Sequence, residues 1–256
     1  MPVQKLLLKM SLPAIASMLL QALYNVVDSI FVSRLGEDAL AALTLVNPMQ
    51  LLLISVGIGT GVGLNSLISR RLGEKRFEEA NSAATHGVLL ILFNSLVFFL
   101  VGFFTSLPFY QWYSDDPALV KMAVTYGRIV LCISIFLFIQ TTFEKILQGT
   151  GNMIMPMISN MTGCITNIVL DPILIFGLFG APRLGVAGAA AATVIGQAVG
   201  AFTVTFYVVK HKMDVSISFR SFRFSWKTIR DGLTRDCRPK DSYGRMIFVE
   251  IWVQNW

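Results

Sequence analysis

Apolar runs, each long enough to cross a membrane as a helix, alternate with short polar segments along this chain. They fall at about residues 12–32, 45–68, 87–105, 124–143, 157–176 and 186–209. A hydrocarbon core about 30 Å thick takes roughly 20 helical residues at ~1.5 Å each, so the pattern predicts six membrane spans. The first run, LPAIASMLLQALYNVVDSIFV, is not uniformly apolar: Gln21, Asn25 and Asp28 recur at i, i+4 and i+7 and share one helix face. A bilayer has no water for that face, so it is expected to turn toward other helices or a wet cavity. An aspartate at membrane depth is read as functional by default. The alternative is a carboxylate near the outer helix end that reaches the headgroups, six residues before Arg34.

The later runs carry their own interruptions. The second holds Gly57, Gly59, Gly61 and Gly63. No strand precedes them, so a phosphate loop is the wrong reading. The pairs Gly57/Gly61 and Gly59/Gly63 predict close approach of a neighbouring helix instead. The third run is nearly featureless apart from Asn94 and reads as scaffold. Tyr126 lies near the start of the fourth run, and Gln140 and Glu144 form an i, i+4 pair at its end. In the fifth, Asn167 and Asp171 stand at i, i+4 on one face, with Pro172 directly after and Pro156 in the tolerated first turn. A proline there frees the carbonyl of Ile168. An exposed carbonyl beside a buried carboxylate suits a cation or proton; the alternative is that Asp171 caps a helix break. The sixth run, GVAGAAAATVIGQAVG, is rich in small residues and carries the pair Thr193 and Gln197.

The connecting segments predict tight turns at 34–39, a charged loop at 69–80, and a stretch with Tyr110, Trp112 and Tyr113 at the membrane interface. Asp115-Asp116-Pro117 reads as a helix start. Residues 211–231 form a basic, aromatic linker (Phe219, Phe222, Phe224, Trp226) suited to lying on the inner membrane face or to a plain solvated linker. Residues 232–256 mix Cys, Pro, basic residues and an apolar scrap too short to span; they read as an atypical tail from a shifted reading frame or a truncated gene end.

Composition agrees with the hydropathy pattern. Hydrophobic residues make up 54% and charged residues 14% of the 256, against about 25% charged in ordinary soluble domains. The net charge of +6 does not indicate nucleic acid, because the basic residues sit between apolar runs. Lys5, Lys9, Arg70, Arg71, Lys75, Arg76, Lys145, Lys210, Lys212, Arg220, Arg223, Lys227 and Arg230 fall on one side of the predicted membrane, whereas the opposite side holds Arg34, Lys121, Arg128 and Arg183. That asymmetry predicts a cytoplasmic N-terminus in a multi-pass protein of the cytoplasmic membrane. The first run is too long and too polar for a cleaved signal peptide and is expected to be retained. Cys132, Cys164 and Cys237 have no metal or redox spacing, and His86 and His211 are isolated. With no nucleophile–base pair and no HExxH motif, an enzyme is not expected.

Five stretches in fixed order carry a resemblance: SLPAIASMLLQALYNVVDSIFVSRLGEDALAAL, SRRLGEKRFEEA, LQGTGNMIMPM, NIVLDPILIFGLFG and GVAGAAAATVIGQ. Over about residues 1–230 the chain resembles the N-terminal half of the multidrug and toxic compound extrusion (MATE) transporters. The resemblance implies an all-α integral membrane protein, a six-helix bundle equivalent to one lobe of a twelve-helix transporter whose inter-lobe cleft opens alternately to either side. It further implies a cation-coupled antiporter, driven by protons or sodium, that exports small organic cations. By matching motif, the coupling cluster would be Gln21, Asp28, Tyr126, Asn167, Asp171 and Thr193. Asn25, Gln140 and Glu144 are further candidates, and Glu144 stands where many relatives have an asparagine. Sodium would sit at Asp28, Asp171 and Asn167. No cofactor is implied beyond the coupling ion; the expected partners are membrane lipid, organic cations, the coupling cation and a C-terminal lobe.

In that frame, Asp28 and Asp171 share a poorly solvated pocket, where burial and a second like charge both disfavour an ionised carboxyl. Cation binding would let the first span bend at Pro13 and shrink the cargo site. Two alternatives remain open: a lipid-linked oligosaccharide flippase of related architecture, which would line its cavity with basic residues, and a fragment that inserts without transporting.

Overall fold

The computed structural model describes residues 3–211, with side chains from residue 11. The predicted segments 211–231 and 232–256 lie, His211 apart, outside them. Helices α1 (Val3–Ser33), α2 (Glu37–Gly73) and α3 (Phe77–Phe104) come first, followed by the short α4 (Ser106–Tyr113). Then come α5 (Pro117–Cys132), α6 (Ile135–Gly149), α7 (Ile154–Phe176), a 3-10 turn at Leu178–Gly180, and α8 (Val186–Lys210). Among the described residues five helices are long and apolar enough to cross a membrane by themselves, and α5 with α6, bent by 47°, counts as a sixth if the pair is taken as one span. The outer surface is apolar, with Phe93, Phe104, Phe202 and Val209 exposed, as suits lipid as the solvent.

The predicted loops are shorter than the hydropathy suggested. The charged stretch at 69–80 is mostly helical: α2 ends at Gly73, α3 begins at Phe77, and only Glu74–Arg76 turn. Basic Arg70 and Arg71 close α2 and acidic Glu78 and Glu79 open α3, the arrangement favoured by helix dipoles. Arg71 pairs with Glu74 at 2.9 Å and Glu79 at 3.0 Å, while Arg76 reaches Glu74 and Glu79 at 3.6 and 3.5 Å. Charge thus holds the helix ends together where hydropathy alone reads a loop.

The fourth span departs furthest from expectation. A continuous helix over 124–143 is replaced by α5 and α6 meeting at Ile133 and Ser134. Neither proline nor glycine marks the break. The Ser134 hydroxyl is buried there with no hydrogen-bond partner among the described residues, and Phe138 restarts the ladder by donating from its backbone N–H to the Ser134 carbonyl at 3.1 Å. Asp116 starts α5 as expected, its side chain accepting from Ala118 N at 2.9 Å with Pro117 in the first turn. The aromatic stretch before it divides. Trp112 and Tyr113 are exposed, but Tyr110 is fully buried, its ring lodged against Gly127 of α5.

Small residues set the helix spacing. The most extensive helix pair is α7 with α8, and it meets backbone to backbone. A Cβ on Gly196 would lie 2.8 Å from the Gly163 carbonyl oxygen, one on Gly163 would lie 3.0 Å from that of Gly196, and one on Gly188 would strike the Leu174 carbonyl. Gly57 and Gly61 of α2 receive Leu137 and Lys145 of α6, whereas Gly59 faces open space. The Gly57/Gly61 pair thus forms the predicted helix contact, and of the second pair Gly63 is buried while Gly59 is not. Gly177, left-handed at φ 74, caps α7. By contrast α1 packs mainly on α7 and leaves Leu12, Leu19, Leu23, Val26 and Ile30 exposed.

These contacts predict opposite signs for two alanine substitutions. Gly196→Ala forces α7 and α8 apart and should lower stability by about 1–3 kcal/mol. Gly59→Ala adds a methyl to open space in mid-helix and should be neutral or stabilising by up to about 1 kcal/mol. Thermal unfolding in detergent measures both; equal melting temperatures for the two variants would contradict the packing described.

Candidate functional site

The polar groups the sequence places on separate helices meet in the interior of the bundle. Asp28 projects from the C-terminal part of α1 and is 9% exposed; Asp171, near the end of α7, is fully buried. Their carboxyl groups lie within hydrogen-bonding reach of each other. The other two groups carried by these helix faces close the site. Asn167, one turn before Asp171, is 3% exposed, and Thr193 of α8 is 4% exposed.

Asn167 bridges α7 and α8. The Thr193 backbone N–H can only donate, and the Asn167 Oδ1 accepts from it at 3.1 Å. That fixes the amide so that Nδ2 donates to Asp171 Oδ2 at 2.9 Å. The Thr193 hydroxyl donates to the Ala189 carbonyl at 3.0 Å. One oxygen of each carboxyl, Oδ1 of Asp28 and Oδ1 of Asp171, is buried without a donor among the described residues. Buried acceptors are normally paired, and a proton or another cation between two carboxyl groups in contact satisfies both at once. The Asp28–Asp171 arrangement therefore has the chemistry of a small cation site.

Tyr126 of α5 is 3% exposed; its hydroxyl lies against Thr193 and Gln50 of α2 and within electrostatic range of both carboxyls. Tyr24, one turn before Asp28 on α1, also lies within electrostatic range of Asp28, Asp171 and Tyr126. Sequence reasoning missed Tyr24 and Gln50. Tyr24 precedes Asp28 by one helical turn, a signal that the polar face of the first run should have included; Gln50 follows Pro48 of α2 and carries no such mark.

Other candidates stand apart. Gln21 is half-buried on α1 and makes none of these hydrogen bonds. Asn25 is exposed, so the polar face expected from Gln21, Asn25 and Asp28 does not turn inward as a unit. At 100° per residue the three spread over enough arc for the α7 contact to take Asp28 and leave Asn25 outside. Gln140 and Glu144 form a separate cluster on α6. Gln140 Nε2 donates to Glu144 Oε1 at 3.0 Å, and Glu144 also meets Ser159 of α7. Ser159 precedes Asp171 by twelve residues on that helix, or about 18 Å of rise. Of the alternatives weighed above, Asp28 does not reach headgroups, and Asp171 caps no break, since α7 runs on through Pro172 to Phe176. Among the described residues no group of three His, Cys, Asp or Glu is placed to hold a metal.

Comparison with known proteins gives a consistent answer. The MatE family model matches residues 13–173. The probable multidrug resistance protein YoeA of Bacillus subtilis (strain 168) is 30% identical over 201 residues, which is 78% of this chain and 43% of that protein. The FAD transporter of Shewanella oneidensis is 31% identical over 232 residues, 83% of this chain and 47% of its own length. Among solved structures, a MOP superfamily transporter from Pyrococcus furiosus superposes with a TM-score of 0.84 at 31% identity, over 90% of this chain and 50% of that one. A multidrug resistance MATE family transporter in an outward-facing conformation gives 0.82 at 32% identity, over the same shares, 90% and 50%. The chain spans about half the length of the relatives it matches. With a family model covering more than half of its residues and six spans that superpose on half of a solved transporter, this chain belongs to the MatE family of membrane transporters and matches one lobe of their bundle.

Proposed function

We propose that this chain supplies the N-terminal lobe of an antiporter that exports organic cations by alternating access across the cytoplasmic membrane, and that it takes up the coupling cation at Asp28 and Asp171. The observation that carries this reading is the pair of carboxyls from α1 and α7 in contact, each with a buried oxygen that lacks a donor. Cation binding relieves their repulsion and strengthens the attachment of α1 to α7. Since α1 rests mainly on α7, the state of the pair biases the position of α1. Pro13, inside α1, gives that helix a point at which to bend. Solved MATE structures described as bent and straight, and as inward- and outward-facing, support a conformational cycle of this kind.

The geometry favours a proton over sodium in the arrangement described. Asn167 turns its amide N–H toward Asp171, which offers a donor where sodium needs an oxygen. Sodium binding requires the amide to turn over and give up its bond to the Thr193 N–H. Both charged groups of the site are acidic, the wrong sign for holding a phosphate, which supports the antiporter over a flippase. A second lobe, from a longer chain or a separate one, completes the cargo cleft in this reading. Relatives named for multidrug resistance and for FAD transport leave the cargo as a class, organic cations, on the strength of the acidic site alone.

Two experiments test the reading. With a C-terminal lobe co-expressed, Asp28→Asn and Asp171→Asn should each abolish drug efflux driven by an imposed pH gradient in sodium-free vesicles, while membrane insertion is unchanged. Normal extrusion by both variants would remove the site from the mechanism, and efflux that needs sodium would overturn the preference for a proton. Orientation is tested with single cysteines in a background lacking the native three. Lys75→Cys in the α2–α3 turn should resist impermeant maleimide added to intact cells, and Phe179→Cys, at 95% exposure, should react. The reverse pattern would place the N-terminus outside.

A further inference from the structure

A second carboxyl sits between helices where the coupling pair does not use it. Glu144 lies on α6, and its surroundings come from three helices. Gln140, one turn earlier on α6, donates from Nε2 to Glu144 Oε1 at 3.0 Å. Ser159 of α7 is fully buried, meets the Glu144 carboxyl, and donates to the Gly200 carbonyl of α8 at 2.9 Å. The other charged or titratable groups near Glu144 are Lys145 and Cys164. Lys145 adjoins it on α6, but its stem packs against Gly61 of α2. Cys164 on α7 is buried, its thiol turned to Asn160 Oδ1 at 3.6 Å.

This cluster continues toward the Asp28–Asp171 pair. Along α7, Ser159, Gly163, Asn167 and Asp171 repeat every four residues and so share one face. Gln140 lies over that face: its amide nitrogen is 3.9 Å from where a Cβ on Gly163 would stand, and 2.7 Å from the equivalent point on Gly200 of α8. On α8, Thr193 and Gln197 occupy successive turns, and the Gln197 Oε1 is buried without a donor. Acid, amide and hydroxyl groups thus line the junction of α6, α7 and α8 from Glu144 to Asp171. Gly200 is the glycine that admits Gln140, because a Cβ there would strike its amide, whereas Gly163 meets that amide only in ordinary contact.

We propose that Glu144 is a second cation-accepting carboxyl, a separate station at the far end of this polar seam, which passes a monovalent cation between the α6–α8 side and the Asp28–Asp171 pair. Gln140 holds the carboxyl toward the seam, and the Ser159 hydroxyl, oriented by the Gly200 carbonyl, supplies a further oxygen. Lys145, drawn aside to Gly61, does not neutralise the site as a direct ion-pair partner among the described contacts. The direction of traffic rests on reading the Asp28–Asp171 pair as the coupling site; cation binding at Glu144 itself does not.

Infrared titration of the full chain in lipid nanodiscs tests this, reading the protonated-carboxyl stretch as pH is varied in sodium-free buffer. Glu144→Gln should remove one pH-dependent band and leave the bands of the aspartates. The double variant Asp28→Asn/Asp171→Asn should remove those and leave the Glu144 band. Glu144→Asp should restore a band at a shifted frequency. Loss of the Glu144 band on adding sodium, but not choline, identifies sodium as the occupant; indifference to both identifies the proton. If Glu144→Gln removes no band, the second station is overturned. If the double aspartate variant removes none while Glu144→Gln does, the coupling-pair reading fails and the Glu144 site stands. Should Glu144→Gln not fold, dicyclohexylcarbodiimide modification of the unaltered chain, mapped by mass spectrometry, decides the matter: pH-dependent adducts on Glu144 support the station, and adducts confined to Asp28 and Asp171 overturn it.

Discussion

Two carboxyl groups held in contact between helices, out of reach of water, form the constraint from which the rest of this bundle is best understood. Their mutual repulsion must be answered by a proton, a cation or a donor. Asn167 gives its amide N–H to Asp171, and among the described residues no group donates to the remaining buried oxygens, Asp28 Oδ1 and Asp171 Oδ1. A site that leaves two buried acceptors unserved is destabilising as a structural feature, at a cost of about 1–3 kcal/mol for each such group. Its persistence is easier to understand in a protein that binds something there than in an inert scaffold.

The packing of the helices follows from the need to hold that site in register. Within a membrane, lipid is as apolar as leucine, so helices gain little by merely hiding side chains and associate through close fit and hydrogen bonds. The α7–α8 seam uses both. Gly163 and Gly196 bring the two backbones together, and one turn further along Asn167 reaches the Thr193 N–H. A wider seam would leave the amide short of its partner, and Asp171 would lose its donor. The glycines of α7 and α8 are therefore tied to the acid pair through geometry, although none of them touches it.

Much of this was legible in the sequence. Six apolar runs gave the spans, because length and hydropathy report directly on a bilayer, and the acids stood out because charge is rare at that depth. The i, i+4 spacing of Asn167 and Asp171 put them on the face that they share. What escaped notice depends on partners distant along the chain. The bend at Ile133–Ser134 has no proline or glycine to announce it. Tyr110 resembles an interfacial aromatic until Gly127 opens a place for its ring. Asn25 looked equivalent to Asp28 by period, but helical period fixes an angle on α1 and not which arc α7 covers. The charged stretch at 69–80 read as loop because hydropathy scores arginine and glutamate alike as polar, and their pairing across a short turn is a matter of sign and position.

The placement of the acid pair also bears on which part of the lobe is free to respond. Helices α2, α3, α5, α6 and α8 interlock with several neighbours each, whereas α1 rests chiefly on α7 and exposes its apolar side chains elsewhere. A free-energy change of about 1.4 kcal/mol shifts an equilibrium tenfold. Applied to the contact between Asp28 and Asp171, a change of that size acts on the one long helix with few other attachments; applied within the α7–α8 seam, it would be shared among many close backbone contacts. A ligand shifts a conformational equilibrium only by as much as it favours one state over the other. The carboxyl of Asp28 is on the helix where that preference has the least packing to overcome, and the carboxyl of Asp171 is on one fastened to α8 by the most extensive helix contact, so a cation binding between them pulls a loosely held element against a better anchored one.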